Sequence, residues 1–96
     1  MKKNLIRPDV SIIVCTYNHG KWIERCLRSL INQDFIKQTE YEVLIVDDCS
    51  KDYTQKILKN FKKENFRFYK NKKNLGLPLS LNKAIKLSLG KYIVRV

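Results

Sequence analysis

The feature that most constrains this chain is a regular alternation of two hydrophobic periodicities. Val10-Ser11-Ile12-Ile13-Val14-Cys15 is short, β-branched and apolar on both faces, the signature of a strand buried in a parallel sheet. Asn18-His19-Gly20 interrupts it, with Asn18 placed to cap a helix. From Lys21 to Asn32 the apolar residues Trp22, Ile23, Cys26, Leu27, Leu30 and Ile31 recur at helical spacing. The unit then repeats. Glu42-Val43-Leu44-Ile45-Val46 reads as a second buried strand ending in Asp47-Asp48. Ser50 and Asp52 supply helix-start chemistry for a stripe of Tyr53, Ile57, Leu58 and Phe61. Phe66-Arg67-Phe68-Tyr69 is a third strand. Pro78 suits the first turn of a third helix, with Leu81, Ala84, Ile85 and Leu89 facing inward and Gly90 closing it. Tyr92 to Val96 is a fourth strand.

Strands and helices alternating at this spacing imply right-handed βαβ units, hence an α/β fold with a parallel sheet and helices packed on it. Ligands of such sheets bind beyond the carboxyl ends of the strands. That rule directs attention to Cys15–Asn18, to Asp47–Ser50 and to the position just after Val96.

Composition narrows the function classes. With 44% hydrophobic and 30% charged residues, the 96-residue chain is of globular rather than disordered type and supports only a modest core. No apolar run reaches membrane-spanning length, and the basic pair Lys2-Lys3 has no apolar stretch behind it. The expected location is therefore cytoplasmic, with the inner face of the membrane as an alternative. Cys15, Cys26 and Cys49 form no C-x-x-C pair and read as small hydrophobes of a reduced compartment. The net charge of +11 rests on lysines concentrated between Lys59 and Lys91. Such a surface attracts anions at long range: nucleotide phosphates, an anionic membrane face or nucleic acid. Without interleaved aromatics at fixed spacing, nucleic acid is the least favoured of these.

Asp47 and Asp48 are carboxylates at the end of a buried strand, where they are costly unless hydrogen-bonded. Adjacent residues point different ways, so one is assigned to the turn and the other to the crevice. Tyr17 is either a core residue or a flat surface for a ligand ring. His19, with no Cys, Asp or Glu at ligand spacing, reads as a loop residue. Asn74-Leu75-Gly76 before the third helix is either a plain turn or a loop lining a phosphate. Neither G-x-G-x-x-G nor G-x-x-x-x-G-K-[ST] is present, and no Ser/His/Asp or Cys/His set is recognisable.

Three segments in order carry a family resemblance. Val10 to Asn18, then Val46-Asp47-Asp48-Cys49-Ser50-Lys51-Asp52, then Asn74-Leu75-Gly76 before a helix containing Asn82 resemble the opening of the family-2 glycosyltransferases. The likeness runs from Val10 to Val96, leaving residues 1–9 as an N-terminal extension. It implies a GT-A (Rossmann-like) fold with strand order 3-2-1-4 and helices on both faces. It also implies a nucleotide-sugar donor, commonly UDP-linked, and a glycan, lipid-linked or cell-envelope polysaccharide acceptor. By the resemblance, Tyr17 lies against the base, with the backbone of Cys15 and Thr16 beside it. Asp48 accepts from the base N–H and Asp47 holds the strand end, while Asn74 and Gly76 are candidate loop contacts. A carboxylate facing a ring N–H discriminates by leaving groups unpaired against the wrong base.

The family usually has proline at the position of Cys15 and often a basic residue at that of Leu81. Its Asp-x-Asp motif, which holds Mn²⁺ or Mg²⁺ on the diphosphate as a Lewis acid, is expected just after Val96. The resemblance therefore assigns no metal ligand and no catalytic residue to these 96 residues, which are expected to be inactive alone. Apolar surface that the rest of such an enzyme would cover is expected to be exposed and to favour self-association. Two rivals remain. A receiver-like signalling domain also ends a strand in Asp-Asp, but there the pair follows the first strand rather than the second. A non-catalytic basic α/β module binding nucleotide, RNA or an anionic membrane surface accounts for the charge without chemistry.

Overall fold

The protein is described by a computed structural model covering residues 7–31, 40–61 and 63–96. Residues 1–6 of the extension, Asn32 at the expected end of the first helix, and Lys62 lie outside the described residues. Among the described residues seven elements succeed one another: β1 (Val10–Thr16), α1 (Gly20–Ile31), β2 (Tyr41–Asp47), α2 (Thr54–Asn60), β3 (Phe66–Lys70), α3 (Leu77–Leu87) and β4 (Tyr92–Arg95). The strands form one sheet in the order β3-β2-β1-β4, with every pairing parallel. That is the strand order the family resemblance implies, with helices on both faces.

Burial tracks position in the sheet. All seven residues of β2, an inner strand, are buried, which explains the apolar run without alternation. α1 and α2 cover one face, where Ile23 and Leu27 pack with Val14, Val43 and Ile45, all at 0% exposure. Each such side chain contributes about 1.5–3 kcal/mol by leaving water. Tyr41 joins this cluster and donates its hydroxyl to the Leu30 carbonyl at 2.7 Å. α3 covers the other face with a smaller cluster of Ile13, Leu44, Val46 and Ala84. β4 is exposed along its whole length.

Three expectations need correction. First, the inward face of α3 is narrower than its apolar pattern suggests. Ser80 and Ala84 are buried and Leu81 half-buried, whereas Ile85 and Leu89 are exposed. The two short side chains let the helix close onto the sheet, which turns the larger ones outward. Trp22 and Tyr53 are likewise at the surface. Second, Gly90 does not close α3. The helix ends at Leu87 with Ser88 extended, and a Cβ on Gly90 would stand 2.6 Å from the Ser11 backbone nitrogen. The glycine is needed for this close approach, and its N–H donates to Ser11 Oγ at 2.8 Å. Third, Asn18 does not cap α1; its side chain serves the next loop instead.

A polar network ties this approach to the sheet. Glu42, only 5% exposed, accepts from Ser11 Oγ at 2.5 Å and from the Leu89 N–H at 2.7 Å. Its other oxygen pairs with the Arg67 guanidinium at 2.7–2.9 Å, and Arg67 also donates to the Leu87 carbonyl. The segment from α3 into β4 is thus held at the amino end of the sheet.

Candidate functional site

The carboxyl ends of β1 and β2 meet where the two loops after them are laced together. Asn18 adopts φ 52°, and its Oδ1 accepts the Lys51 N–H at 2.7 Å and the Asp52 N–H at 3.3 Å. Its own N–H donates to Ser50 Oγ at 2.8 Å. Asp52 returns the contact, accepting the first N–H of α1, at Gly20, and that of Thr54 at the start of α2. One aspartate therefore serves two helix starts, and a carboxylate there is favoured by both helix dipoles. Burial raises the Asp52 carboxyl, but the N–H groups of Thr54 and Gly20 outweigh it and hold the group below its ordinary value.

The two acidic residues diverge. Asp47 takes the side of α1 and α2, accepting from Ser50 N–H at 3.1 Å, from Ser50 Oγ at 2.5 Å and from the Gln55 amide. Ser50, expected to start α2, thus closes the strand end instead. Asp48 takes the opposite side. Its Oδ1 accepts from Asn71 Nδ2 at 2.9 Å and from Leu75 N–H at 2.7 Å, and its Oδ2 from Gly76 N–H at 2.8 Å. Gly76 stands at φ 91°, a conformation that favours glycine and aims its N–H at the carboxylate. Burial alone would push Asp48 upward. The donors on Leu75, Asn71 and Gly76 more than offset this, so the carboxyl lies below its ordinary value and stays ionised. A carboxylate has about four acceptor positions. Three are filled here, which leaves one on Oδ2 for a further donor.

The remaining candidates surround this carboxylate unevenly. Asn74 approaches the Asp48 carbonyl at 3.4 Å, and the Thr16 carbonyl accepts the Asp48 N–H at 2.9 Å. Thr16 is buried, its hydroxyl without a partner. Cys15 is half-buried on the α3 face; burial raises its thiol, while Arg95 lowers it and Asp48 raises it further. Tyr17 is 42% exposed directly after the end of β1. His19 is an exposed loop residue whose ring meets Trp22 edge-on.

Sequence reasoning missed Asn71, which is 2% exposed and central. Its amide donates to Asp48 and Ser80 and accepts from Lys83 Nζ at 2.9 Å. A polar residue just after β3 carries no signal of burial, because only the fold brings α3 over it. Among the described residues no group of three His, Cys, Asp or Glu side chains is placed to hold a metal ion. The arrangement offers a ligand an ionised acceptor, an exposed ring and backbone groups.

Comparison with known proteins gives this edge its context. Over 90% of its length the chain is 42% identical to the poly(ribitol-phosphate) β-N-acetylglucosaminyltransferase TarS of Staphylococcus aureus, and it spans 15% of that protein. The structure of TarS residues 1–349 with UDP-GlcNAc superposes with a TM-score of 0.85 at 38% identity, covering 92% of this chain and 26% of that one. A mannosyltransferase of Pyrobaculum calidifontis, solved with GDP-Man and Mn²⁺, gives 0.77 at 27% identity over 91% of this chain and 26% of that one. The glycosyl transferase family 2 model matches residues 11–96, which takes in every described strand and helix but for Val10 of β1, and the chain belongs to that family.

Proposed function

We propose that this chain is the nucleotide-binding part of an enzyme that transfers a sugar from a UDP-sugar to a glycan, lipid-linked or cell-envelope polysaccharide acceptor. The observation that carries this reading is Asp48, an ionised carboxylate at the crevice with one acceptor position left. A uracil ring N–H fits that position, and the exposed Tyr17 ring offers the base a stacking surface. Support comes from the similar TarS structure, which has UDP-GlcNAc bound. Asp47 acts by holding the strand end, through Ser50 and Gln55.

Mn²⁺ or Mg²⁺ belongs to the proposed activity, where it would neutralise the leaving diphosphate. Among the described residues no group of three His, Cys, Asp or Glu is placed to hold it, and the part proposed for them is to bind and orient the nucleotide. The reading places the enzyme in the cytoplasm, where nucleotide-sugars are available, with the basic surface turned to anionic partners.

Tyr17→Ala tests the base site without touching the hydrogen-bonded turn. Base stacking on an aromatic ring is worth about 1–3 kcal/mol, so UDP affinity is expected to fall about tenfold. Thermal stability should be unchanged, since Tyr17 is exposed. Calorimetric titration giving equal affinities for the parent and Tyr17→Ala would remove the base from this place.

A further inference from the structure

The crevice face of the sheet carries a cation that nothing else in the described chain engages. Arg95 pairs in register with Ile13, and paired residues of a parallel ladder share a face, so it stands on the α3 side. Cys15 is the next residue of β1 on that face, and its thiol feels both the Arg95 guanidinium and the Asp48 carboxylate. The other cations of this face are occupied: Arg67 by Glu42 and the Leu87 carbonyl, Lys83 by Asn71. Among the described residues Arg95 has no hydrogen bond and no ion pair.

Asp48 comes directly after β2 and Arg95 lies on β4, with β1 between them. Two strand spacings amount to about 10 Å across the sheet. Arg95, level with Ile13, stands about 13 Å behind the level of Asp48 along it, an offset that its long side chain on the side of Cys15 shortens. An acceptor at one end of that span and a fixed positive charge at the other suit a ligand with a ring N–H at one end and an anion at the other. A nucleoside diphosphate has that form and that reach.

We propose that Arg95 takes the phosphate end of the bound nucleotide, its planar fork matching two phosphate oxygens, while Asp48 takes the base. The assignment rests on the nucleotide reading above and adds a phosphate contact supplied by the chain itself. An arginine that merely guards the edge strand β4 against pairing would affect association without changing ligand preference.

Titration of the full chain with uridine and with UDP, at one ionic strength, separates these cases. The parent is expected to bind UDP more tightly than uridine. A hydrogen bond to a charged group is worth about 1.5–3 kcal/mol, so Arg95→Met should weaken UDP about tenfold or more while uridine affinity stays unchanged. Arg95→Lys, which keeps the charge and loses the fork, should fall between. Lys63→Met makes the same charge change just before β3, at the opposite end of the sheet, and should alter neither ligand. If Arg95→Met loses no more UDP affinity than Lys63→Met, the assignment is overturned and the nucleotide reading stands. Equal binding of uridine and UDP by the parent has the same meaning. A parent that binds neither ligand overturns both.

Discussion

The two faces of the sheet are built on different principles. Under α1 and α2 lies a broad apolar cluster from Val14 to Phe66, in which Tyr41 spans from strand to helix through one hydroxyl. Under α3 the apolar part shrinks to Ile13, Leu44, Val46 and Ala84, and polar networks flank it. Ser11, Glu42 and Arg67 occupy the amino end, and Asp48, Asn71, Ser80 and Lys83 the carboxyl end. An apolar face needs only volume and shape, so it tolerates exchange among hydrophobes. A buried polar face requires each donor and acceptor to be matched, and it places charges where a ligand can meet them. On the proposed reading, the first face mainly supplies stability and the second recognition.

The largest expected effect tests the polar face. Glu42→Ala leaves the half-buried Arg67, the Ser11 hydroxyl and the Leu89 N–H without their acceptor and should cost about 3–5 kcal/mol. Replacing Glu42 and Arg67 together by apolar residues should recover most of that loss. Urea denaturation of the single and double variants checks this, and a double variant as unstable as the single would mean the network is needed as a unit. On the apolar face, Leu27→Ala removes a fully buried side chain and should cost about 2–5 kcal/mol. It should do so without altering ligand affinity. If nucleotide binding fell as well, the faces would be coupled rather than separate.

The smallest effect is a pH dependence at the carboxyl end. Asp48 and Asp52 both lie below their ordinary values when folded. Their stabilisation is therefore fully present above the unfolded carboxylate value of about 3.9 and is lost as pH falls through the lower folded values. The melting temperature should be insensitive to these groups above about pH 5 and should decline below about pH 4. Asp48→Asn should flatten part of that decline while leaving the remainder to Asp52. An unchanged acid limb in Asp48→Asn would show that the carboxylate of the crevice does not stabilise the fold.

Much of the fold was legible because strands and helices bury different periodicities. Val10–Cys15 and Glu42–Val46 differ by one residue at their ends from the observed β1 and β2. The strand order entered through the family resemblance, since periodicity cannot choose among sheet orders. Asn18 and Gly90 were placed at helix ends on local grounds, yet their partners lie 33 and 79 residues away along the chain. Ile85 and Leu89 fit a helical stripe, but the short Ser80 and Ala84 decide which side of α3 meets the sheet. Of the site, Asp47 and Asp48 stood out as charges beside a buried strand. Asn71 and Arg95 did not, since a polar residue near a strand end reads as surface until a neighbour covers it or a ligand faces it.

By itself the sequence determined the alternation of elements, the apolar strands and the strand ends that carry acidic residues, because these arise from local side-chain spacing and desolvation. Only the tertiary structure decided that Asp47 and Asp48 part to opposite faces, that Asn71 joins Asp48 to α3, and that Arg95 shares the crevice face. Those outcomes depend on the register and packing of distant segments, where one residue of slip would exchange the two faces and undo each contact.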